Sequence, residues 1–324
     1  MGKVSSIAKG GGGLGVAGAG IFGVLLAEAK MARNKIGNAT KQVHDATGWY
    51  GRDNEGPELR IALLGDSSAA GYGVDKVEET PGAVLASGVA EQSGRPVYLR
   101  SYAVVGARSS QLDGQAGLAL HIKPHVAIIL IGANDVTHVM TPARSVGYLA
   151  AVVKRLQESG TEVVVGTCPD LGTVRPILQP LKQVARTWSR RLAAAQTIGV
   201  LEAGGRTVSL AAILGQEFRD FPHVFFGPDQ FHPSVEGYRS LAQVLLPSTL
   251  AALGLVPDEE AAVEPARGEG VMPLASAAAQ AVETAGTELD GTEVAGSRAG
   301  VRGLWVTLRH RRRRPVESQA PTLR

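Results

Sequence analysis

Between residues 61 and 202, short aliphatic and β-branched runs alternate with longer amphipathic stretches, and this alternation restricts the fold more than any other feature of the chain. The runs at 61–64, 97–102, 126–131, 162–166 and 199–202 have the length and side chains of buried strands. The stretches 81–92, 110–120, 142–158 and 181–195 carry apolar residues at helical spacing, and 234–253 reads as a last helix with Ser234 placed to cap it. Strand–helix–strand repetition brings the strands together in parallel and covers both sheet faces with helices. The expected fold is α/β, a three-layer α/β/α arrangement around a five-stranded, mainly parallel sheet. In such sheets the site lies beyond the C-terminal strand ends.

Chemistry-bearing residues occur at those ends. Gly65-Asp66-Ser67 closes the first run and Ile131-Gly132-Ala133-Asn134-Asp135 closes the third. Gly106 follows the second run in Val104-Val105-Gly106-Ala107-Arg108, and Asp229-Gln230-Phe231-His232-Pro233 stands just before the last helix. A serine hydroxyl is a weak nucleophile at neutral pH, so acyl transfer needs an imidazole to take its proton and a carboxylate to hold that imidazole. Ser67, His232 and Asp229 supply these types, and three-residue spacing lets Asp229 reach His232 within one turn. A tetrahedral oxyanion needs fixed donors, for which a side-chain amide (Asn134) and the N–H of a closely approaching glycine (Gly106) are suitable.

The order Gly-Asp-Ser, Gly, Gly-x-Asn-Asp, Asp-x-x-His resembles all four sequence blocks of the SGNH/GDSL hydrolases, a family with a flavodoxin-like fold. The resemblance implies a metal-independent carboxylic ester hydrolase working through an acyl-enzyme, without a cofactor. It implies Ser67 as nucleophile, His232 as general base and then acid, and Asp229 as its partner. The oxyanion donors it implies are the Ser67 and Gly106 N–H groups and the Asn134 amide. The substrates it implies span short- to medium-chain acyl esters and lipid esters, with carbohydrate O-deacetylase, lysophospholipase and thioesterase activity as alternatives. The chain departs from the family pattern in having Ser68 after the nucleophile and Ala103-Val104-Val105 before Gly106.

Other candidates carry less. Asp66 has no second acid two residues on, so it reads as a buried structural carboxylate, Ser68 as structural, and Asp135 as a helix cap. Pro124 interrupts His121 and His125, with no adjacent glutamate to complete a zinc motif. His138 reads as a surface-loop residue that could line the substrate site, and no carboxylate is placed to orient His223. No G-x-S-x-G elbow, P-loop or H-E-x-x-H occurs. Gly13–Gly18 spells G-x-G-x-x-G, but without a preceding strand or a following acid it is not a dinucleotide site.

The single cysteine, Cys168, precludes an internal disulfide. The chain's net charge of +3 comes from its end: residues 301–324 hold seven arginines against Glu317, leaving the rest slightly acidic. A nucleic-acid-binding core is therefore not expected. Residues 1–29 have a positive start, a glycine-rich apolar stretch and Ala27-Glu28-Ala29, the pattern of a signal peptide or membrane anchor. That places the enzyme in the cell envelope; a membrane-associated helix with the enzyme on the cytoplasmic face, or a flexible leader, are the alternatives. Residues 30–58 read as a lead-in, 59–256 as the hydrolase domain and 257–324 as a disordered tail whose arginine cluster suits either an anionic membrane surface or solvent. An inactive, membrane-tethered binding module is the reading from another functional class.

Overall fold

The central strand of the sheet is the seven-residue run Leu59–Gly65 (β2), in which every residue except Arg60 is buried. Period-two alternation sends Ile61 and Leu63 to one face and Ala62 and Leu64 to the other, and both faces are covered. The computed structural model describes residues 43–256 together with Ala27, Glu28 and Met31. The other strands are Gly48–Tyr50 (β1), Val97–Ser101 (β3), Val126–Leu130 (β4), Glu162–Gly166 (β5) and Arg206–Val208 (β6). They lie in the order β1-β3-β2-β4-β5-β6, all pairs parallel except β1 with β3.

The helices are Ser67–Ala70 (α1), Pro81–Ser93 (α2), Leu112–Ala119 (α3), Ala133–Thr137 (α4), Pro142–Glu158 (α5), Leu181–Glu202 (α6), Leu210–Ile213 (α7), Gly215–Asp220 (α8), Pro222–Phe225 (α9) and Val235–Ala252 (α10). Leu85 and Val89 of α2 and Leu241 and Leu245 of α10 pack on the face holding Ile61 and Ile128. Leu112 and Ala116 of α3, Leu149 and Val153 of α5 and Val200 of α6 cover the face holding Leu64 and Ile129. A smaller cluster at the C-terminal strand ends joins Val136, Cys168, Leu171, Val174, Leu192 and Phe226.

Two sequence expectations change. The sheet has six strands rather than five, because Gly48–Tyr50, in the span read as a lead-in, adds a short antiparallel edge. The expected strand at 199–202 is instead the end of α6, and the strand follows at Arg206–Val208. Leu192, Gln196 and Val200 are all fully buried at four-residue spacing, a helical face continuing through that run. A Cβ at Gly199 would stand 2.3 Å from Val146 Cγ1, so the residue is the contact point of α6 on α5. Gly204, at φ +86°, turns the chain into β6.

Glu28 is buried, and its carboxylate accepts the Leu181 N–H at 2.8 Å, satisfying one free donor at the start of α6. Among the described residues no helix is long and apolar enough to cross a membrane. The readings of 1–29 as signal or anchor and of 257–324 as a disordered tail otherwise fall outside the described residues.

Candidate active site

Strand β2 ends at Gly65 because only glycine fits there. Its φ is +135°, and a Cβ would stand 1.9 Å from the Leu130 carbonyl oxygen of the neighbouring strand. The buried Gln115 side chain accepts the Gly65 N–H at 2.7 Å and donates to its carbonyl at 3.0 Å, which pins the turn. Asp66 then caps α1, accepting the Ser68 N–H at 2.8 Å. Ser67 is thereby the first residue of the helix, where its N–H has no intrahelical acceptor. Tyr238, fully buried on α10, donates to the Tyr72 carbonyl at 2.9 Å and supports this segment from below.

The second part of the site comes from the loop before α10. Gly227 N–H donates to His232 O at 2.8 Å, Phe226 bridges Pro233, and Gln230 takes a left-handed φ of +57°. Asp229 Oδ1 accepts the N–H groups of Phe231 and His232, each at 3.0 Å, which fixes the carboxylate. Its Oδ2 lies 2.6 Å from His232 Nδ1, and His232 Nε2 lies 3.1 Å from Ser67 Oγ. Ser234 caps α10 through Gly237 N–H as its position in the sequence suggests. The Tyr72 and Phe231 rings pack against the imidazole at centroid distances of 4.4 and 4.8 Å.

Burial raises the Asp229 pKa, but the hydrogen bond from His232 and the two backbone donors outweigh it, leaving the carboxyl below its ordinary value. An ionised carboxylate can only accept, so it places the imidazole proton on Nδ1. The Nε2 lone pair then faces the Ser67 hydroxyl, as proton transfer from serine requires.

The oxyanion candidates are brought to the same end of the sheet. Gly132, two residues past the end of β4, has φ +138°, and a Cβ there would stand 2.8 Å from Cys168 Cβ. Asn134 follows and shares an apolar cavity with Ser67 and His232, walled by Leu130, Pro169, Leu171, Val174, Phe218 and Phe231. Its amide donates to Asp66 Oδ2 at 3.4 Å. Gly106 stands exposed on the loop after β3 at φ +81°, and its N–H donates to none of the described residues. That loop is tied to the nucleophile turn by Val104 N–H to Gly65 O, 3.0 Å.

Asp66 is the buried carboxylate expected. Burial lifts its pKa to about 6, against the lowering effects of the Ser68 hydrogen bonds and of His232. Asp135 is not a helix cap. Gly132 occupies the cap position of α4, and Asp135, the third residue of the helix, points into the core toward Ser109 and Ser145. His138 is exposed with Nδ1 2.8 Å from Asn134 O, and His125 Nδ1 accepts the Arg60 N–H on the sheet's opposite end. Among the described residues no three His, Cys, Asp or Glu side chains form a metal-binding group.

Several supporting residues escaped the sequence reading. Gln115 and Gln196 are buried glutamines on helices, and Gln196 holds Ile131 O and Cys168 N–H at 3.0 and 2.7 Å beyond β4 and β5. Their only signal in the sequence was an amide on an otherwise apolar helical face.

The family model for GDSL-like lipases/acylhydrolases matches residues 63–240, which contain every candidate residue above. The chain belongs to this family. A GDSL-like esterase of Mycobacterium tuberculosis is 39% identical over 243 residues, covering 71% of this chain and 77% of the relative. As a family member the protein is a carboxylic ester hydrolase. Among solved structures, a lipase/acylhydrolase from Enterococcus faecalis superposes with a TM-score of 0.50 at 20% identity, covering 60% of this chain and 96% of its own. An acetyl-xylooligosaccharide esterase from Geobacillus gives a TM-score of 0.49 at 15% identity, with 61% and 95% coverage. The first of these likenesses bears out the α/β fold with a mostly parallel sheet. Ser67, Asn134 and His232 line one cavity beside the carboxyl ends of β2 and β4.

Proposed function

We propose that this GDSL hydrolase is a serine esterase acting through an acyl-enzyme on short- to medium-chain acyl or lipid esters. The observation that carries the reading is the continuous chain Asp229 Oδ2, His232 Nδ1, His232 Nε2, Ser67 Oγ, with links of 2.6 and 3.1 Å. As Ser67 attacks the ester carbon, its proton passes to Nε2 and the carbonyl electrons move onto oxygen. The Ser67 and Gly106 N–H groups and the Asn134 amide receive that oxyanion. Collapse of the intermediate breaks the bond to the leaving alcohol, which takes the proton from His232. Water then enters, gives its proton to His232 and attacks the acyl group, and the acid is released as Ser67 regains its proton.

The cavity beside Ser67 favours an acyl chain over a sugar, because most of its wall is Leu, Ile, Val, Pro and Phe side chains, with Thr167, Asp170 and Thr173 as the polar groups outside the Ser67, Asn134 and His232 region. The mycobacterial relative, described as an esterase, supports the same class. The test is hydrolysis of p-nitrophenyl esters from acetyl to palmitoyl by the full chain and by Ser67→Ala and His232→Ala. Both variants are expected to fall to background, with activity highest on short to medium chains. Undiminished turnover in both would overturn the mechanism, and a preference for acetylated sugars would replace the substrate class.

A further inference from the structure

The two oxyanion donors outside the nucleophile turn lie on different loops, Gly106 after β3 and Asn134 at the start of α4. A buried carboxylate joins these loops. Asp135, fully buried, accepts the Ser109 N–H at 3.0 Å through Oδ1. Its Oδ2 accepts the Ser109 hydroxyl at 2.5 Å and the Ser145 hydroxyl at 2.6 Å, and the two hydroxyls are 3.1 Å apart. Both serines are buried, and among the described residues no Lys or Arg pairs with Asp135.

A carboxylate held by neutral donors in the core is an expensive way to secure stability, since a neutral or apolar side chain would avoid desolvating a charge. What the charge supplies is short, directional bonds from three donors to one rigid point. Ser109 is three residues past Gly106, and Asp135 directly follows Asn134. Ser145 fastens the same point to α5, a seventeen-residue helix packed on the sheet.

We propose that Asp135 is a positioning residue for the oxyanion site, a clamp that fixes the separation of the Gly106 N–H and the Asn134 amide. This rests on the reading of those two groups as oxyanion donors. Donors of this kind act only when held where the charge develops. Loosening the clamp therefore lowers kcat, because both loops remain present for ground-state binding but no longer meet the transition state together.

The experiment uses the full chain with p-nitrophenyl butyrate, comparing Asp135→Asn, Ser109→Ala, Asn134→Ala and the Asn134→Ala/Asp135→Asn double variant. Asp135→Asn is expected to lower kcat by about 10- to 100-fold with KM within about twofold, and to weaken an alkyl boronic acid inhibitor by a similar factor. In the Asn134→Ala background the same change is expected to cost less than about threefold, because one of the two clamped donors is already gone. Ser109→Ala keeps the carboxylate and its backbone bond, so it reports on the clamp even if Asp135→Asn folds poorly; a kcat loss at unchanged KM is expected there too. Wild-type kcat in folded Asp135→Asn, or an equal cost with and without Asn134, would refute the clamp alone. Wild-type kcat in Asn134→Ala would refute the oxyanion reading beneath it.

Discussion

Asp229→Asn tests the core of the proposed mechanism because the structure dictates how the new amide must lie. Asp229 Oδ1 accepts two backbone N–H groups, from Phe231 and His232. Asparagine can keep both bonds only with its oxygen in that place, which turns its NH₂ toward His232 Nδ1. Nδ1 must then accept, the ring proton moves to Nε2, and Ser67 faces a donor instead of a base. The magnitude follows from the 2.6 Å contact between Asp229 Oδ2 and His232 Nδ1. Two unit charges at that distance interact by about 6 kcal/mol at an effective dielectric of about 20. Solvent reaches the pair, whose side chains are 11% and 22% exposed, so about 4–5 kcal/mol is the expected loss of imidazolium stabilisation. That corresponds to a fall in kcat of about 10³ to 10⁴. The assay is steady-state hydrolysis of p-nitrophenyl butyrate between pH 6 and 9, with a thermal melt to show the fold intact. Asp229→Ala, which imposes no wrong tautomer, is expected to be no worse than Asp229→Asn. An Asp229→Asn enzyme retaining a tenth of wild-type kcat would show that the carboxylate does not orient the base.

Asp66 yields a pH prediction. Its folded pKa of about 6 lies above the unfolded value of 3.8, so the folded state holds a proton that the unfolded state has released between those values. Stability falls as pH rises through that window, by about 3 kcal/mol from the difference of about two units. Asp66→Asn is expected to erase that fall. Urea unfolding of both proteins at pH 4 and pH 8 checks it, and parallel pH profiles would contradict it. Gly65→Ala is expected to destabilise by about 4 kcal/mol or more, because it combines a disfavoured φ with a clash against backbone; a denaturant midpoint near wild type would show that the turn can relax. The same Asp229 hydrogen bonds that lower its pKa make its contribution to stability present above about pH 4 and lost below, in the opposite sense to Asp66. An Asp229→Asn variant therefore loses less stability than wild type does on acidification below about pH 4, measurable by extending the urea series down to about pH 2.

The parts of the fold legible in the sequence were those written in local periodicity. Four of the five expected strands formed near their expected places, as did the long helices, because each apolar run had to bury itself and its spacing admitted one conformation. The failures have local causes too. Residues 199–202 read as a short buried strand, but the packing of Gly199 on Val146 and of Val200 into the core makes them the last turn of a helix. Gly48–Tyr50 is three residues long and half exposed, too short for any pattern, and becomes a strand because β3 offers it an open edge.

The site divides along the same line. Ser67, Asn134, Asp229 and His232 were visible because strand ends and short motifs carry them, and Asp229 meets His232 through local geometry alone. Whether the imidazole would reach a serine 165 residues away was decided by the parallel sheet order, which puts the ends of β2 and β4 beside the loop before α10. The roles of Asp135, Gln115 and Gln196 also belong to tertiary structure, since each satisfies polar groups contributed by distant segments. A sequence specifies which groups will seek burial or a hydrogen-bond partner. Which partner they find depends on what the completed fold brings within about 3 Å.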